Sequence, residues 1–196
     1  MITEEATVMQ HKGSVTMETN RLLLRKFTLQ DSKSAFKNWT SDEKITTFLR
    51  WPTHQNIETT QEVIKSWVEQ YRNPNYYQWA IVLKDCNEAI GSIGVVMQNE
   101  DLDILHIGYC IGSAWWNQGI TSEAFSSIIP FLFDEVKANR IESQHDPRNP
   151  NSGKVMMKCG LKYEGTLREA DRSNQGIVDA AMYSLLAKEY RSHKDL

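Results

Sequence analysis

The chain has 196 residues, of which 40% are hydrophobic and 24% are charged, the size and composition of one globular domain. The 22 Lys and Arg residues against 25 Asp and Glu residues leave a net charge of −3, so the charge gives no reason to expect a nucleic-acid partner. No apolar run is long enough to cross a bilayer, and residues 1–18 lack the build of a signal peptide. These features predict a cytoplasmic protein without a nucleic-acid or membrane partner.

Three cysteines are present, Cys86, Cys110 and Cys159, and no two of them have Cys-x-x-Cys spacing. An odd number of scattered cysteines is not typical of a disulfide framework or a zinc site. They are interpreted as buried thiols of a protein from a reducing compartment, and no metal site is expected.

Residues 1–18 are polar and show no hydrophobic period, so they are predicted to form a flexible extension. Residues 19–196 contain no repeat or linker and are predicted to form a single domain. The predicted elements of its first part are a strand at 21–27, a helix capped by Asp31 or Ser32, a loose segment at 45–49 and a helix capped by Thr59 or Thr60.

The middle of the chain is predicted to form three strands, at 76–83, 89–97 and 104–111. Short polar turns join them, which favours antiparallel neighbours. A helix at 120–136 follows, and Pro130 is expected to disturb its later turns.

The next strand, at 140–145, is reached through that helix and should therefore lie parallel to the strand at 104–111. The remaining predicted elements are a short helix capped by Asn151 or Ser152 that ends at Gly160, and a hairpin of strands at 163–172 and 177–186.

The most informative stretch runs from Tyr109 to Ala124, where a predicted strand passes through a turn into a helix that opens with small and polar residues. Such a helix start leaves free backbone N–H groups that suit a phosphate or pyrophosphate. Gly119 allows the positive φ and the close approach that an anion cradle needs. Many strand-loop-helix connections bind nothing, so this pattern alone leaves a purely structural role equally open.

Residues 116–121, Trp-Asn-Gln-Gly-Ile-Thr, resemble the acetyl-CoA signature Gln/Arg-x-x-Gly-x-Gly/Ala of the GNAT N-acetyltransferase superfamily. Gly119 matches that signature, whereas Trp116 and Thr121 depart from it. A second block, at 145–165, resembles the Asn-x-x-Ser, Val-Met-x-Lys and Gly-Leu sequence of the branch that acetylates ribosomal-protein N-termini (RimJ/RimL-like). The two blocks stand in the family's order.

The resemblance implies a mixed α/β (α+β) GNAT fold, with a mostly antiparallel central sheet of six to seven strands flanked by about four helices. It also implies that the fourth and fifth strands splay apart and that the pantetheine arm of acetyl-CoA, the expected co-substrate, inserts between them. The contacts expected with the arm are Tyr109, Cys110, Ile111, Asn149 and Ser152. The residues expected around the pyrophosphate are Asn117, Gln118, Gly119, Ile120 and Thr121.

Acetylation of an amine needs a base for the amine and a proton for the leaving thiolate. His106 stands where many GNAT enzymes carry a glutamate, so the resemblance makes it the candidate catalytic base, and a surface strand histidine is the alternative. His145 and Asp103 are weaker candidates, since either could simply end a strand.

Many GNAT enzymes donate the proton from a tyrosine on the helix after Asn149, but the corresponding residue here is Met156, which has no proton to donate. Ser152 is the other candidate catalytic acid, and helix capping would explain it equally well. Asn149 would orient the pantetheine amide or else be a turn residue before Pro150.

The predicted function is acetyl transfer from acetyl-CoA to a primary amine, in particular a protein N-terminus, by direct attack in a ternary complex. A small amine such as an antibiotic, polyamine or amino-acid analogue is the alternative acceptor. A non-catalytic acyl-CoA-binding regulatory module is the alternative of a different class, and a covalent route through Cys110 ranks low because no base is paired with it.

The acceptor site is expected to form from the first helices, the loop at 48–54 and the final hairpin loop. Aromatic residues that could line it are Trp39, Trp51 and Tyr77, although such residues more often belong to the core. The sequence leaves open whether the protein forms a homodimer.

Overall fold

An eight-stranded, mostly antiparallel sheet lies at the centre of the computed structural model, which describes residues 9–194. Its strands are β1 Met17–Glu18, β2 Leu22–Arg25, β3 Gln78–Leu83, β4 Glu88–Asn99, β5 Ile104–Ile111, β6 Arg140–His145, β7 Lys162–Ser173 and β8 Gly176–Leu186. The strand order across the sheet is β1-β2-β3-β4-β5-β6-β8-β7. The sheet confirms the predicted mixed α/β architecture, with one more strand than expected because β1 pairs with β2 at one edge.

Six helices connect or flank the strands in the described part of the chain. They are α1 Ser32–Ala35, α2 Glu43–Thr46, α3 Ile57–Gln70, α4 Ile120–Pro130, α5 Pro150–Lys158 and α6 Ala187–Lys194. The predicted irregularity at Pro130 is confirmed, since α4 ends there and a π-helical turn, Phe131–Glu135, follows. None of these helices is long and apolar enough to cross a membrane.

The predicted cap of the third helix, α3, is wrong. Asn56 caps α3, with its Oδ1 accepting a hydrogen bond of 3.0 Å from the Thr59 N–H, so the helix begins before Thr59. Asp31 ends a short 3₁₀ turn that leads into α1, and its buried carboxylate accepts hydrogen bonds from the Thr28 N–H and from Arg25. For α3, a side chain earlier in the sequence than the predicted caps satisfies one of the first free N–H groups. Asp31 holds the predicted cap position of α1, but its side chain makes no cap hydrogen bond there.

The prediction of a flexible extension is wrong for residues 9–18, and residues 1–8 lie outside the described residues. Met9 is buried in the core, and the Gln10 N–H donates to the Val136 carbonyl at 2.7 Å. Trp79 Nε1 donates to the Val15 carbonyl at 2.7 Å. Single apolar anchors and backbone bonds hold this segment to the sheet, and neither produces a hydrophobic period in the sequence.

The two faces of the sheet carry separate apolar cores. The larger one lies under α4 and α5, and the smaller one lies under α1 and α3. Cys159 belongs to the larger core and Cys110 packs against the smaller one, whereas Cys86 is exposed in the β3–β4 turn, so the prediction of three buried thiols is wrong for Cys86.

β5 and β6 run parallel, as predicted, but pair only over the three residue pairs from Ile104–Arg140 to His106–Glu142. Past the last pair, Ser143 Oγ donates to the Ile107 carbonyl at 2.7 Å. Among the described strands, none pairs with the β6-facing side of residues 108–111. The predicted splay is therefore present between the strands expected, and it opens toward the C-terminal end of β5.

The place where β5 and β6 separate, after His106 and Glu142, is called the fork below. A bulge in β4 lies beside it. The register with β5 shifts between Val95 and Met97, which leaves Val96 as the extra residue. A Cβ atom on Gly108 would lie 2.7 Å from Val96 Cγ1, so only glycine leaves room for the bulged side chain. The bulge and this glycine lie next to the point where β5 leaves β6.

Candidate active site

A cavity of about 420 Å³ opens at the fork of β5 and β6. The end of β5, the first turns of α4 and α5, and one side of α2 with the residues after it form its wall. All predicted cofactor residues except Gln118 lie in this wall: Tyr109, Cys110, Ile111, Asn117, Gly119, Ile120, Thr121, Asn149 and Ser152. Segments far apart in the sequence thus meet around one space.

The charged side chains in the wall are all cationic. They are Lys44, Arg148, Lys154 and Lys158, and no carboxylate of the described residues joins them. Arg148 forms an ion pair with Asp146, which lies outside the wall, and the distance from Arg148 Nη2 to Asp146 Oδ2 is 2.5 Å. This charge pattern suits a ligand with several phosphate groups.

These four cations were not among the site residues predicted from the sequence. Lys154 and Lys158 are spaced i, i+4 and follow Asn149 by less than three helical turns, so they share one face of α5. That spacing was a readable signal, whereas the approach of Lys44 from α2 depends on tertiary structure alone.

The loop before α4 has the conformation expected of an anion cradle. Asn117 has a φ of 60° and Gly119 a φ of 75°, both in the left-handed region, and α4 starts at Ile120. The first N–H groups of the helix therefore lie at the cavity, where Ile120 and Thr121 form part of the wall.

Gln118 is the exception among the predicted pyrophosphate residues. Its side-chain Nε2 donates to the Ala114 carbonyl at 2.9 Å, and its own carbonyl accepts from Arg21 Nη1 at 3.0 Å. Both polar groups are used on the side away from the cavity, because the left-handed residues on either side turn this peptide outward. The side-chain amide and the carbonyl of Gln118 therefore lie behind the loop, and its contact with the pyrophosphate stays a prediction for the backbone N–H alone.

The side chain of Tyr109 connects the end of β5 to the first turn of α5. Its hydroxyl donates to the Ser152 carbonyl at 2.8 Å, and burial raises the pKa of the phenol. Cys110 lies beside it, with Sγ 3.4 Å from Ser92 Oγ, and burial raises the pKa of the thiol. A protonated thiol is a poor nucleophile, which agrees with the low rank of a covalent route.

Ser152 lies in the first turn of α5, which begins at Pro150, earlier than predicted. The alternative role of Ser152 as the helix cap is wrong, since no side chain caps this helix and Asn149 holds the cap position. Ser152 Oγ accepts from Asn149 Nδ2 at 3.1 Å, which leaves its O–H able to donate into the cavity. Met156 is buried in the core.

His106 does not belong to the cavity wall. It is 4% exposed, and its Nδ1 lies 3.2 Å from Glu142 Oε1 across the last β5–β6 pair. Hydrogen bonds from His106 and Arg140 lower the pKa of the Glu142 carboxyl against the opposing effect of burial. His106 is therefore a buried, hydrogen-bonded residue at the closed end of the fork and not a surface histidine.

The two weaker base candidates are both engaged in structural contacts. His145 Nδ1 bonds the Asp146 carbonyl at 2.8 Å, and its ring packs 5.6 Å from that of Tyr183. Asp103 accepts from the Met9 N–H at 3.0 Å at the start of β5. Neither lies in the cavity wall.

A second cavity, of about 440 Å³, lies where the acceptor site was expected. Its wall comes from α2, residues 52–55 and the β7–β8 turn. The turn is tied to the helix side by Asn174 Nδ2, which donates to the Thr46 carbonyl at 2.7 Å and to the Trp51 carbonyl at 3.0 Å. Trp39 and Tyr77 are buried in the cores and line neither cavity, so their proposed role there is wrong.

A profile of the acetyltransferase (GNAT) domain family matches residues 21–162, well over half of the chain. The chain belongs to the GNAT acetyltransferase family. This membership confirms the family and the enzyme class predicted from the two motif blocks. The matched range contains β2 to β6, and with them the fork, the loop around Gly119 and α5.

The chain is 29% identical over 175 residues to the uncharacterized N-acetyltransferase p20 of Bacillus licheniformis, covering 89% of this chain and 98% of that protein. It is 26% identical to the ribosomal-protein-serine acetyltransferase of Escherichia coli, covering 69% of this chain and 75% of that protein. Among solved structures, the Microcin C7 self immunity acetyltransferase MccE in complex with acetyl-CoA and AMP superposes with a TM-score of 0.77 at 19% identity, covering 86% and 93% of the two chains. The last similarity establishes the shared fold.

Proposed function

We propose that the protein transfers the acetyl group of acetyl-CoA to a primary amine at a protein N-terminus, by direct attack in a ternary complex. The observation that carries this proposal is the cavity at the strand fork, whose charged side chains are all cationic. CoA combines several phosphate groups with a narrow, amide-containing arm. The cavity offers cations and a helix N-terminus for the former, and unpaired strand edges for the latter.

The residues of this chain fit acetyl-CoA in two parts. The first N–H groups of α4, after Gly119, with Lys154 and Lys158 from α5, would hold the phosphates. The edge of β5 at residues 109–111 would pair with the arm, and Asn149 would orient one of its amides. Acetyl-CoA supplies an activated acyl group as a thioester.

The chemistry required of the protein is modest. The neutral amine attacks the thioester carbonyl, a C–N bond forms, the C–S bond breaks and the proton lost by the amine ends on the thiolate. We assign the proton donor role to Ser152 and the base role to His106, which would act through water because its imidazole lies outside the cavity wall. Holding both substrates in line supplies much of the acceleration of such a transfer.

The second cavity is the proposed acceptor site. α2 contributes Lys44 and Ile45 to the first wall, and Glu43 and Thr46 to the second, so this helix borders both cavities. Glu43 is the one charged side chain among the described residues of the second wall. A single carboxylate among hydroxyl and amide groups suits an ammonium group attached to a peptide backbone, and the E. coli relative is named for a ribosomal protein.

Two measurements test the proposed function. Calorimetric titration with acetyl-CoA, NAD and ATP should show binding of acetyl-CoA alone. Acetylation assays should then compare peptides with free and blocked N-termini against spermidine and an aminoglycoside. Turnover of free N-termini is expected, whereas preferred turnover of the small amines would overturn the acceptor assignment and an absence of acetyl-CoA binding would overturn the function.

Ser152→Ala is expected to lower kcat by about 100-fold, the usual contribution of a positioned general acid, because the thiolate loses its proton donor. The dissociation constant of acetyl-CoA should stay within about twofold of the wild-type value, since Ser152 does not face the phosphates in this assignment. Steady-state assays measure kcat, and calorimetry measures the dissociation constant. Ser127→Ala, a serine of α4 outside the cavity wall, is the matched control, and an unchanged kcat in Ser152→Ala would refute the donor role.

His106→Ala is expected to lower turnover at pH 7 more than at about pH 9, where an N-terminal amine is already mostly neutral and needs no base. The pH dependence of kcat/KM for a peptide acceptor measures this difference. His106→Asn keeps a polar side chain beside Glu142 and controls for the loss of packing. An equal loss at both pH values would identify a structural role instead.

A further inference from the structure

Arg21, the residue before β2, binds the back of the loop that carries Gly119. Its Nε donates to Glu123 Oε2 at 2.7 Å, its backbone N–H donates to Glu123 Oε1 at 3.1 Å, and Nη1 donates to the Gln118 carbonyl at 3.0 Å. Thr19 Oγ1 adds a further bond to Glu123 Oε1. A single guanidinium thus joins the start of the domain to both the loop and the first turn of α4.

The negative charge of Glu123 would repel an anion bound at the start of α4 unless a positive charge compensates it. Glu123 lies in the first turn of α4, where its N–H bonds the Gly119 carbonyl at 3.0 Å. Burial acts to raise the pKa of its carboxyl, but the hydrogen bonds from Thr19 and Arg21 outweigh it and lower that pKa, so the group is ionised. Without the guanidinium, this negative charge would oppose a phosphate at the same helix end.

The bond to the Gln118 carbonyl also sets the direction of the next N–H. In a trans peptide, the C=O and the following N–H point in opposite directions. Because the Gln118 carbonyl points at Arg21, the N–H of Gly119 points away from Arg21, and Gly119 forms part of the cavity wall whereas Arg21 and Gln118 do not. The guanidinium therefore orients the loop from the side opposite the ligand.

We propose that Arg21 is a positioning residue for the phosphates of acetyl-CoA: it neutralises Glu123 and fixes the Gln118–Gly119 peptide with its N–H toward the cavity. This inference rests on the proposed binding of acetyl-CoA at the fork. It assigns a role in co-substrate affinity to a residue that touches neither the cavity nor the reacting atoms. The same geometry explains why an acidic residue is tolerated in the first turn of a phosphate-binding helix.

The test compares ligands with and without phosphates. Arg21→Gln should weaken binding of CoA, measured by calorimetry, by about tenfold or more, the scale of one lost charge-assisted interaction. Binding of pantetheine, which has no phosphate and is measured by NMR titration, should change by less than about twofold. Adding Glu123→Gln to this variant should recover part of the CoA affinity, because the uncompensated carboxylate is removed.

Lys12→Gln is the matched control, since Lys12 forms an exposed ion pair with Glu135 outside the cavity wall. Arg21→Lys keeps the positive charge but lacks the guanidinium that bonds Glu123 and the Gln118 carbonyl at the same time. If Arg21→Gln does not fold, Arg21→Lys should show the same preferential loss of CoA affinity over pantetheine affinity, but a smaller one. Equal weakening of CoA and pantetheine, or unchanged CoA affinity, would overturn the role of Arg21 alone. Failure of the wild-type protein to bind CoA would overturn both this role and the proposed function.

Discussion

Gly119→Val is expected to weaken acetyl-CoA binding by roughly 100-fold or more, measured by calorimetry, while the domain still folds. Gly119 has a φ of 75°, and a β-branched residue is strained in this left-handed region. Relief of that strain would rotate the Gln118–Gly119 peptide and remove the first N–H groups of α4 from the cavity. The effect comes from backbone conformation, because a Cβ atom at Gly119 has open space, with Arg21 Nη2 at 3.8 Å as its nearest neighbour.

The matched control is Gly119→Asn. Asparagine adopts the left-handed region far more readily than valine, and Asn117 does so two residues earlier in the same loop. Gly119→Asn is therefore expected to retain most of the affinity. If the two variants lost affinity equally, the cause would be side-chain bulk in the cavity, and the N–H cradle would be the wrong account of phosphate binding.

The double variant Lys154→Gln, Lys158→Gln is expected to weaken CoA binding by roughly 10- to 100-fold, since each lysine would lose a charge-assisted contact with a phosphate. The loss should shrink as salt is added, because salt screens the contacts of Lys154 and Lys158, which only the wild type has. Calorimetry at two salt concentrations measures both effects. Pantetheine, without phosphates, should bind the variant as it binds the wild type.

Lys33→Gln, Lys37→Gln is the charge-matched control. Both lysines are exposed, they share the i, i+4 spacing, and neither lies in the cavity wall. This control should leave CoA affinity within about twofold of the wild type. If it weakened CoA as much as the α5 pair, the net charge of the protein and not the local cavity would govern binding.

Regular elements and their order were predictable because they depend on local patterns. The alternation of β5, the turn signals on either side of it, and the connection through a helix to β6 all follow from the sequence between residues 98 and 145. Helix starts were less predictable, as Asn56 shows, because several neighbouring polar residues can each satisfy the same free N–H groups.

Some residues of the candidate site were likewise predictable from local motifs, and others were not. The wall residues on β5, on the loop around Gly119 and at the start of α5 were found because they sit in two contiguous motifs. Lys44 was missed because it reaches the cavity from a helix more than sixty residues earlier in the chain. The direction of the Gln118 carbonyl, toward Arg21, was not predictable because the motif does not tell which way a peptide between two left-handed residues faces.

The sequence by itself determined the fold class, the family, and the strand and helix junctions at which a phosphate-bearing co-substrate would bind. Hydrophobic period, turn residues and motif spacing are properties of short segments, so they can be read along the chain. Only the tertiary structure decided that the cavity wall is cationic, that His106 is buried against Glu142, and that Arg21 stands behind the Gly119 loop. Those facts arise from contacts between residues far apart in sequence, where the direction of a side chain depends on packing that no local pattern encodes.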